Sequence, residues 1–178
     1  MTVTMDVALL LLRLGVGLTL TGHGLQKLFG WFGGPGLLRL RQGFEQQGFK
    51  PAWPWVALAI VGEVGGGLSL ALGLLTPLGA AGIFGTMVMA MFKTHWKNGF
   101  WAQKGGYEYT LLLLIVSIAL GLIGPGRYAL DPLFGITLPE ALLFSVLAVS
   151  AILVDVLGLL RSRQTPVTPH ESMTRASS

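Results

Sequence analysis

The sequence predicts an all-α integral membrane protein: a four-helix transmembrane bundle core, a fifth C-terminal transmembrane helix, and a short interfacial helix between spans one and two. Composition is the first observation behind this. Hydrophobic residues make up 52% of the 178 positions and charged residues only 11%, against about 25% charged in soluble domains. The second is that the apolar residues gather into five runs near the roughly 20 residues a helix needs to cross a bilayer.

The runs cover residues 7–28, 53–75, 78–96, 107–123 and 140–160. The first lacks a basic leader region and an Ala-x-Ala cleavage site, and Arg13 interrupts it, so it reads as a retained span. The third and fourth are short for a span, which predicts tilt or ends buried against neighbours. Residues 35–48 read as an amphipathic helix, with Leu37, Leu40 and Phe44 on one face and Arg39, Gln42 and Gln46 largely opposite. One transmembrane domain, 1–163, is expected. The Pro- and Ser/Thr-rich stretch 164–178 has little to bury and is expected to be disordered.

Orientation follows from the basic residues. Arg39, Arg41, Lys50, Lys97, Lys104, Arg161, Arg163 and Arg175 fall on one side of a five-span chain, and only Arg127 on the other. The positive-inside rule then places the N-terminus outside and the C-terminus in the cytoplasm of a bacterial plasma membrane. The pI near 9.8 reflects this topology and attraction to anionic lipid, not nucleic acid.

Small residues predict how the spans meet. Gly62 with Gly66, Gly65 with Ser69 and Gly73, and Gly82 with Thr86 and Ala90 recur at four-residue spacing. In lipid, helices associate by close packing, which such rows allow.

Ionisable residues inside spans are the candidate functional positions. At ~1.5 Å per residue, Arg13 lies roughly 10 Å from the outer start of span one and Glu63 about 15 Å from the cytoplasmic start of span two. In a core of about 30 Å that leaves a gap of roughly 5 Å, so Arg13 and Glu63 are expected to form a buried ion pair, as a clamp or as a functional pair. A second set, His23, Lys27, His95, Asn98 and Glu108, collects near the cytoplasmic surface as a candidate ligand and proton site. His23 has the alternative of a hydrogen bond to a backbone carbonyl, and Lys27 that of snorkelling to the interface. Snorkelling is the preferred reading of Asp155.

The chain has no cysteine, which excludes thiol exchange and iron–sulfur ligation by its own residues. Haem is disfavoured, because His23 and His95 are a poor axial pair beside Lys27. A metal held by two histidines and Glu108 is equally weak.

The stretches RLGVGLTLTGHGLQKLFG, QGFKPAWPWVALAIVGEVGGGLSLALGLLTPLGA, HWKNGFW, GGYEYTLLLL and GPGRYALD resemble, in order and spacing, the DoxX family of small bacterial membrane proteins. The resemblance implies a four-helix core in spans one to four, and the fifth span departs from shorter members. It carries over onto Arg13, His23, Gly24, Lys27, Glu63, His95, Asn98 and Glu108. Relatives include the DoxD-type membrane subunit of a thiosulfate:quinone oxidoreductase and members linked to oxidative-stress complexes. The resemblance thus implies a quinone-linked redox subunit, working with a soluble redox or sulfur-metabolism partner.

A quinone site needs an apolar approach from lipid, donors at the carbonyl oxygens and a proton route, and the cytoplasmic set offers these groups. The alternatives are a noncatalytic membrane anchor or scaffold for soluble partners and a small-solute or proton transporter. Whether the chain is itself an enzyme stays open, as does a homo-oligomer.

Overall fold

The protein, described here over residues 2–164 by a computed structural model, is helical throughout with no strand among the described residues. Helix α1 (Val3–Phe29) opens where the Thr2 hydroxyl accepts from the Met5 amide at 3.4 Å. It closes at Gly30, whose φ of 75° lets its amide reach the Gln26 carbonyl at 3.1 Å. That left-handed cap favours a residue without Cβ. Helix α2 (Gly36–Gln46) half-buries Leu37, Leu40 and Phe44 and exposes Arg39, Gln42 and Gln46, as its spacing predicts.

Helix α3 (Trp53–Leu72) is widened by a π-turn over Val61–Gly65. It stops short of residue 75 because Gly73 and Leu75 both turn left-handed, with φ of 63° and 51°. Helix α4 (Thr76–Ala90) follows at once and runs on as a second π-turn, Met91–His95. Helix α5 (Glu108–Ile123), a single turn α6 (Leu130–Leu133) and α7 (Glu140–Gln164) complete the chain. The stretch predicted to be disordered lies outside the described residues from 165 onward.

Three helices, α1, α3 and α7, are long and apolar enough to cross a membrane, and α5 is a shorter apolar helix of 16 residues. Their outward faces carry Leu11 and Leu18 on α1 and Leu142, Val149, Leu153 and Leu160 on α7, all exposed. Contiguous apolar faces of this kind suit lipid and would be a liability in water. Helix α4 sits among α3, α5 and α7, and α1 covers the opposite side of α3. The core gathers around Ile83, Phe84 and Met87 of α4, Leu113 and Leu120 of α5, and Phe144 and Ala148 of α7.

Glycine lets α3 approach a helix on either side. On one side, a Cβ at Gly67 would stand 2.6 Å from the Thr21 hydroxyl and 2.7 Å from the Gly17 carbonyl of α1. On the other, a Cβ at Gly62 or Gly66 would stand 2.8 Å from the Gly82 or Gly79 carbonyl of α4. The predicted Gly62–Gly66 row is therefore a helix contact. The row through Gly65, Ser69 and Gly73 is mixed: Gly65 would meet only its own Val61, Ser69 packs on Gly79 of α4, and Gly73, the left-handed cap of α3, abuts Arg13 of α1.

The α3–α4 turn is tied down from a distance. Asp131, buried in α6, accepts from the Leu75 amide at 2.8 Å and from the Thr76 amide and hydroxyl at 3.2 and 3.3 Å. Its own amide donates to the Gly73 carbonyl at 2.9 Å. A carboxylate on the first amides of a helix satisfies donors that have no intrahelical partner. Asp6 of α1 holds the α5–α6 connection by accepting from the Arg127 amide at 3.0 Å.

Candidate functional site

The antiparallel register of α1 on α3 decides which charges meet. Gly17 faces Ala71, Thr21 faces Gly67, and Gly24 faces Val64. Arg13 therefore lies beside Gly73, and Glu63 lies ten positions away along α3, about 15 Å by helix rise. The expected Arg13–Glu63 pair does not form. Depth counted from the membrane edge fails here because side-chain packing between the helices, not the edge of each apolar run, sets their register.

Each residue has another partner. Arg13, fully buried, donates to the Tyr128 carbonyl and lies in the field of Asp131. It clamps the connection before α6 onto α1 at the end of the bundle opposite to Glu63. Glu63 accepts from Lys27, one turn beyond Gly24 on α1. Only 4% of the Glu63 side chain is exposed, against 29% of Lys27, so the pair has a dry side and a wet side.

Glu63 sits within the π-turn of α3, a widening often found at functional sites. Its Oε1 takes the lysine, while Oε2 is buried without a partner among the described residues. A half-satisfied buried carboxylate is costly unless something completes it. Nearby, the His23 ring lies 6.0 Å from that of Tyr109 on α5 in a tilted arrangement, and Tyr109 lies within electrostatic range of Glu63. His23 and Tyr109 are both exposed, so this corner of the bundle opens outward.

The predicted cytoplasmic set is thus divided. His23 and Lys27 stand near Glu63, whereas His95, Asn98 and Glu108 are bonded into the α4–α5 loop. His95 Nδ1 lies 2.8 Å from the Gly105 carbonyl, and the Asn98 side-chain amide donates to that same oxygen at 3.0 Å. Glu108 accepts from the Ala102 amide at 2.9 Å. Trp96 stacks on Tyr107 at 4.9 Å and 17° across the base of the loop. These residues shape a loop, a use their types do not announce in sequence.

Asp155 is also placed differently from expectation. It does not snorkel, since it is 7% exposed and turns inward from α7, with Oδ2 buried and unpartnered among the described residues. Asp131 is a buried capping carboxylate that sequence reasoning misses. The signal available is a Thr-Pro pair opening α4, whose first amides need a cap that no neighbouring residue supplies.

The corner at Glu63 combines an ammonium donor, a carboxylate with one oxygen free, and an imidazole and a phenol at its edge. Such a set can hold a polar head group and exchange protons with it. Among the described residues no three His, Asp or Glu side chains converge as metal ligands would.

Fold and site together define a helical membrane protein with a charge pair buried between its first two long helices. The family model for DoxX matches residues 8–96, a stretch that holds α2, α3, α4 and nearly all of α1. The chain belongs to the DoxX family. Both partners of the ion pair fall within the matched half, while most of the motif at 95–101 and the motifs at 105–114 and 124–131 lie beyond it. Neither the curated proteins nor the solved structures gave a match.

Proposed function

We propose that this DoxX-family protein is a quinone-linked subunit of a membrane redox complex, of the oxidative-stress or sulfur-oxidation kind, and that Lys27 and Glu63 hold the quinone head group. The observation that carries this reading is the free Oε2 of Glu63 beside the partly exposed Lys27. The Lys27 ammonium has three donors, of which Glu63 Oε1 takes one, leaving others for a carbonyl oxygen. Glu63 is the group that accepts or returns a proton, and His23 with Tyr109 extends the route to the edge of the bundle. A bound quinone would supply two-electron, two-proton chemistry. The electrons would come from a partner subunit, because the chain has no cysteine and no motif for an electron carrier of its own.

In this reading α1, α3, α4 and α5 form a four-span bundle core, α7 is a fifth span, and α2 lies in the interface. The chain sits in the bacterial cytoplasmic membrane with its N-terminus outside and its C-terminus inside. The basic residues Arg39 and Arg41 in α2, Lys50 after it, and Lys97 and Lys104 in the α4–α5 loop support that orientation.

A second reading, a noncatalytic anchor for soluble partners, draws support from the loop itself. His95, Asn98 and Glu108 give it a fixed shape, and Lys97, Trp101 and Lys104 stand exposed on it. Quinone binding by the purified protein, compared between the parent and variants of Lys27 and Glu63, separates the two readings.

A further inference from the structure

Beyond the Glu63 corner, a cavity of about 560 Å³ opens between α3, α4 and α7, on the other side of α3 from Lys27. That volume falls within the range of about 300–1,000 Å³ typical of small-molecule sites. Gly62, Gly66 and Gly82 line its floor, where α3 and α4 pack backbone against backbone. Its mouth is ringed by Leu58, Val61, Leu68 and Val154, all exposed on the lipid-facing side, so a molecule reaches it from the bilayer.

Asp155 is the one ionisable group among the described residues that line this cavity. It stands about 22 Å along α7 from Glu140 and roughly 8 Å before the apolar run ends at Leu160. Its Oδ2 is buried and has no hydrogen-bond partner among the described residues. An isolated carboxylate in such surroundings costs several kcal/mol unless a proton, a cation or a donor completes it. Two hydroxyls also line the cavity. Ser69 gives its proton to the Leu74 carbonyl at 2.6 Å, and Thr86 gives its proton to the Ile83 carbonyl at 2.9 Å. Their remaining lone pairs are acceptors.

We infer that the cavity is a binding site for a lipophilic molecule whose polar head is a hydrogen-bond donor, with Asp155 receiving that donor and the glycine-lined walls receiving the apolar body. The inference is independent of the quinone reading, since it uses neither Lys27 nor Glu63. An amine and an alcohol share the required chemistry. A chain-matched ether lacks the donor and should not be held.

The test uses full-length protein in lipid nanodiscs and three photoactivatable C14 probes that differ only in head group: primary amine, primary alcohol and methyl ether. Labelled peptides are mapped by mass spectrometry. Saturable labelling within α4 and α7 near Thr86 and Asp155 by the amine, the alcohol or both, at least tenfold stronger than by the ether, is the expected result. Asp155→Leu should remove that preference. Asp155→Asn separates the two sources: it should weaken a cationic head and retain a neutral hydroxyl. Should the Asp155 variants fail to fold, Leu68→Trp at the mouth leaves the carboxylate in place and should block labelling by all three. Equal labelling by the ether, or a donor preference that survives Asp155→Leu, would overturn the assignment and leave an acyl-chain groove only.

Discussion

Lys27 on α1 donates to Glu63 on α3, while Arg13 on the same helix turns to the Tyr128 carbonyl at the far end of the bundle. Two cations on one helix thus do separate work. Breaking a buried pair costs about 3–5 kcal/mol, so Lys27→Met should destabilise by the lower part of that range, given its wet side. The double change Lys27→Met with Glu63→Leu should cost less than the sum of the single changes. Arg13→Leu with Glu63→Leu should instead be additive within about 0.5 kcal/mol, as for separated sites. Unfolding of the purified protein in detergent, read as two double-mutant cycles, checks both statements.

Asp131 joins the far-end connection to two helices at once, since it caps α4 and lies in the field of Arg13. Asp131→Ala should cost about 1–2 kcal/mol for the cap alone, and more because Arg13 stays buried. Asp131→Asn keeps an acceptor for Thr76 and should recover part of the loss. The same unfolding assay ranks the three proteins, and equal stability of the parent and Asp131→Ala would refute the capping role.

The glycines of α1 should differ sharply from one another. A Cβ at Gly22 would meet nothing within 4 Å, whereas one at Gly24 would lie 2.9 Å from the Val64 amide nitrogen and 3.2 Å from Glu63 Cβ. Gly22→Ala should be neutral or stabilising by up to about 1 kcal/mol through helix propensity. Gly24→Val should cost about 1–3 kcal/mol by pushing α1 from α3, and should loosen the Lys27–Glu63 contact with it. Thermal unfolding of the two variants beside the parent checks the contrast.

Much of this architecture is legible in the residues themselves. Helices stand at all five apolar runs, and the amphipathic spacing of Leu37, Leu40 and Phe44 locates α2, because periodicity and apolar length are local properties. The Gly62–Gly66 contact is legible for the same reason. The charge pairing is not, because it depends on the axial register of two helices, which sets Arg13 ten positions along α3 from Glu63 and brings Lys27 to it instead. Sequence brings His23, Lys27 and Glu63 forward as polar residues in apolar runs. It cannot tell a carboxylate that faces a cation, such as Glu63, from one that caps a distant helix, such as Asp131, or one that faces a cavity, such as Asp155.

The five-span arrangement predicts opposite locations for the two ends. A C-terminal fluorescent reporter should be active in the cytoplasm and an N-terminal one should not, following the basic loops. If both ends reported from the same side, α4 or α5 would not cross the membrane, and the five-span arrangement would have to be revised.

The most direct measurement of the central claim is a quinone titration of the full-length protein in nanodiscs, followed by thermal shift, for the parent and for Glu63→Gln, Lys27→Met and His95→Ala. A ligand that binds only the folded state raises its apparent stability by about 2.7 kcal/mol at a hundredfold excess over Kd. The parent and His95→Ala should show the shift, because His95 serves the loop, and Glu63→Gln and Lys27→Met should lose it while remaining folded. No shift in the parent, or an undiminished shift in both the Glu63 and Lys27 variants, would contradict the account and favour the anchor.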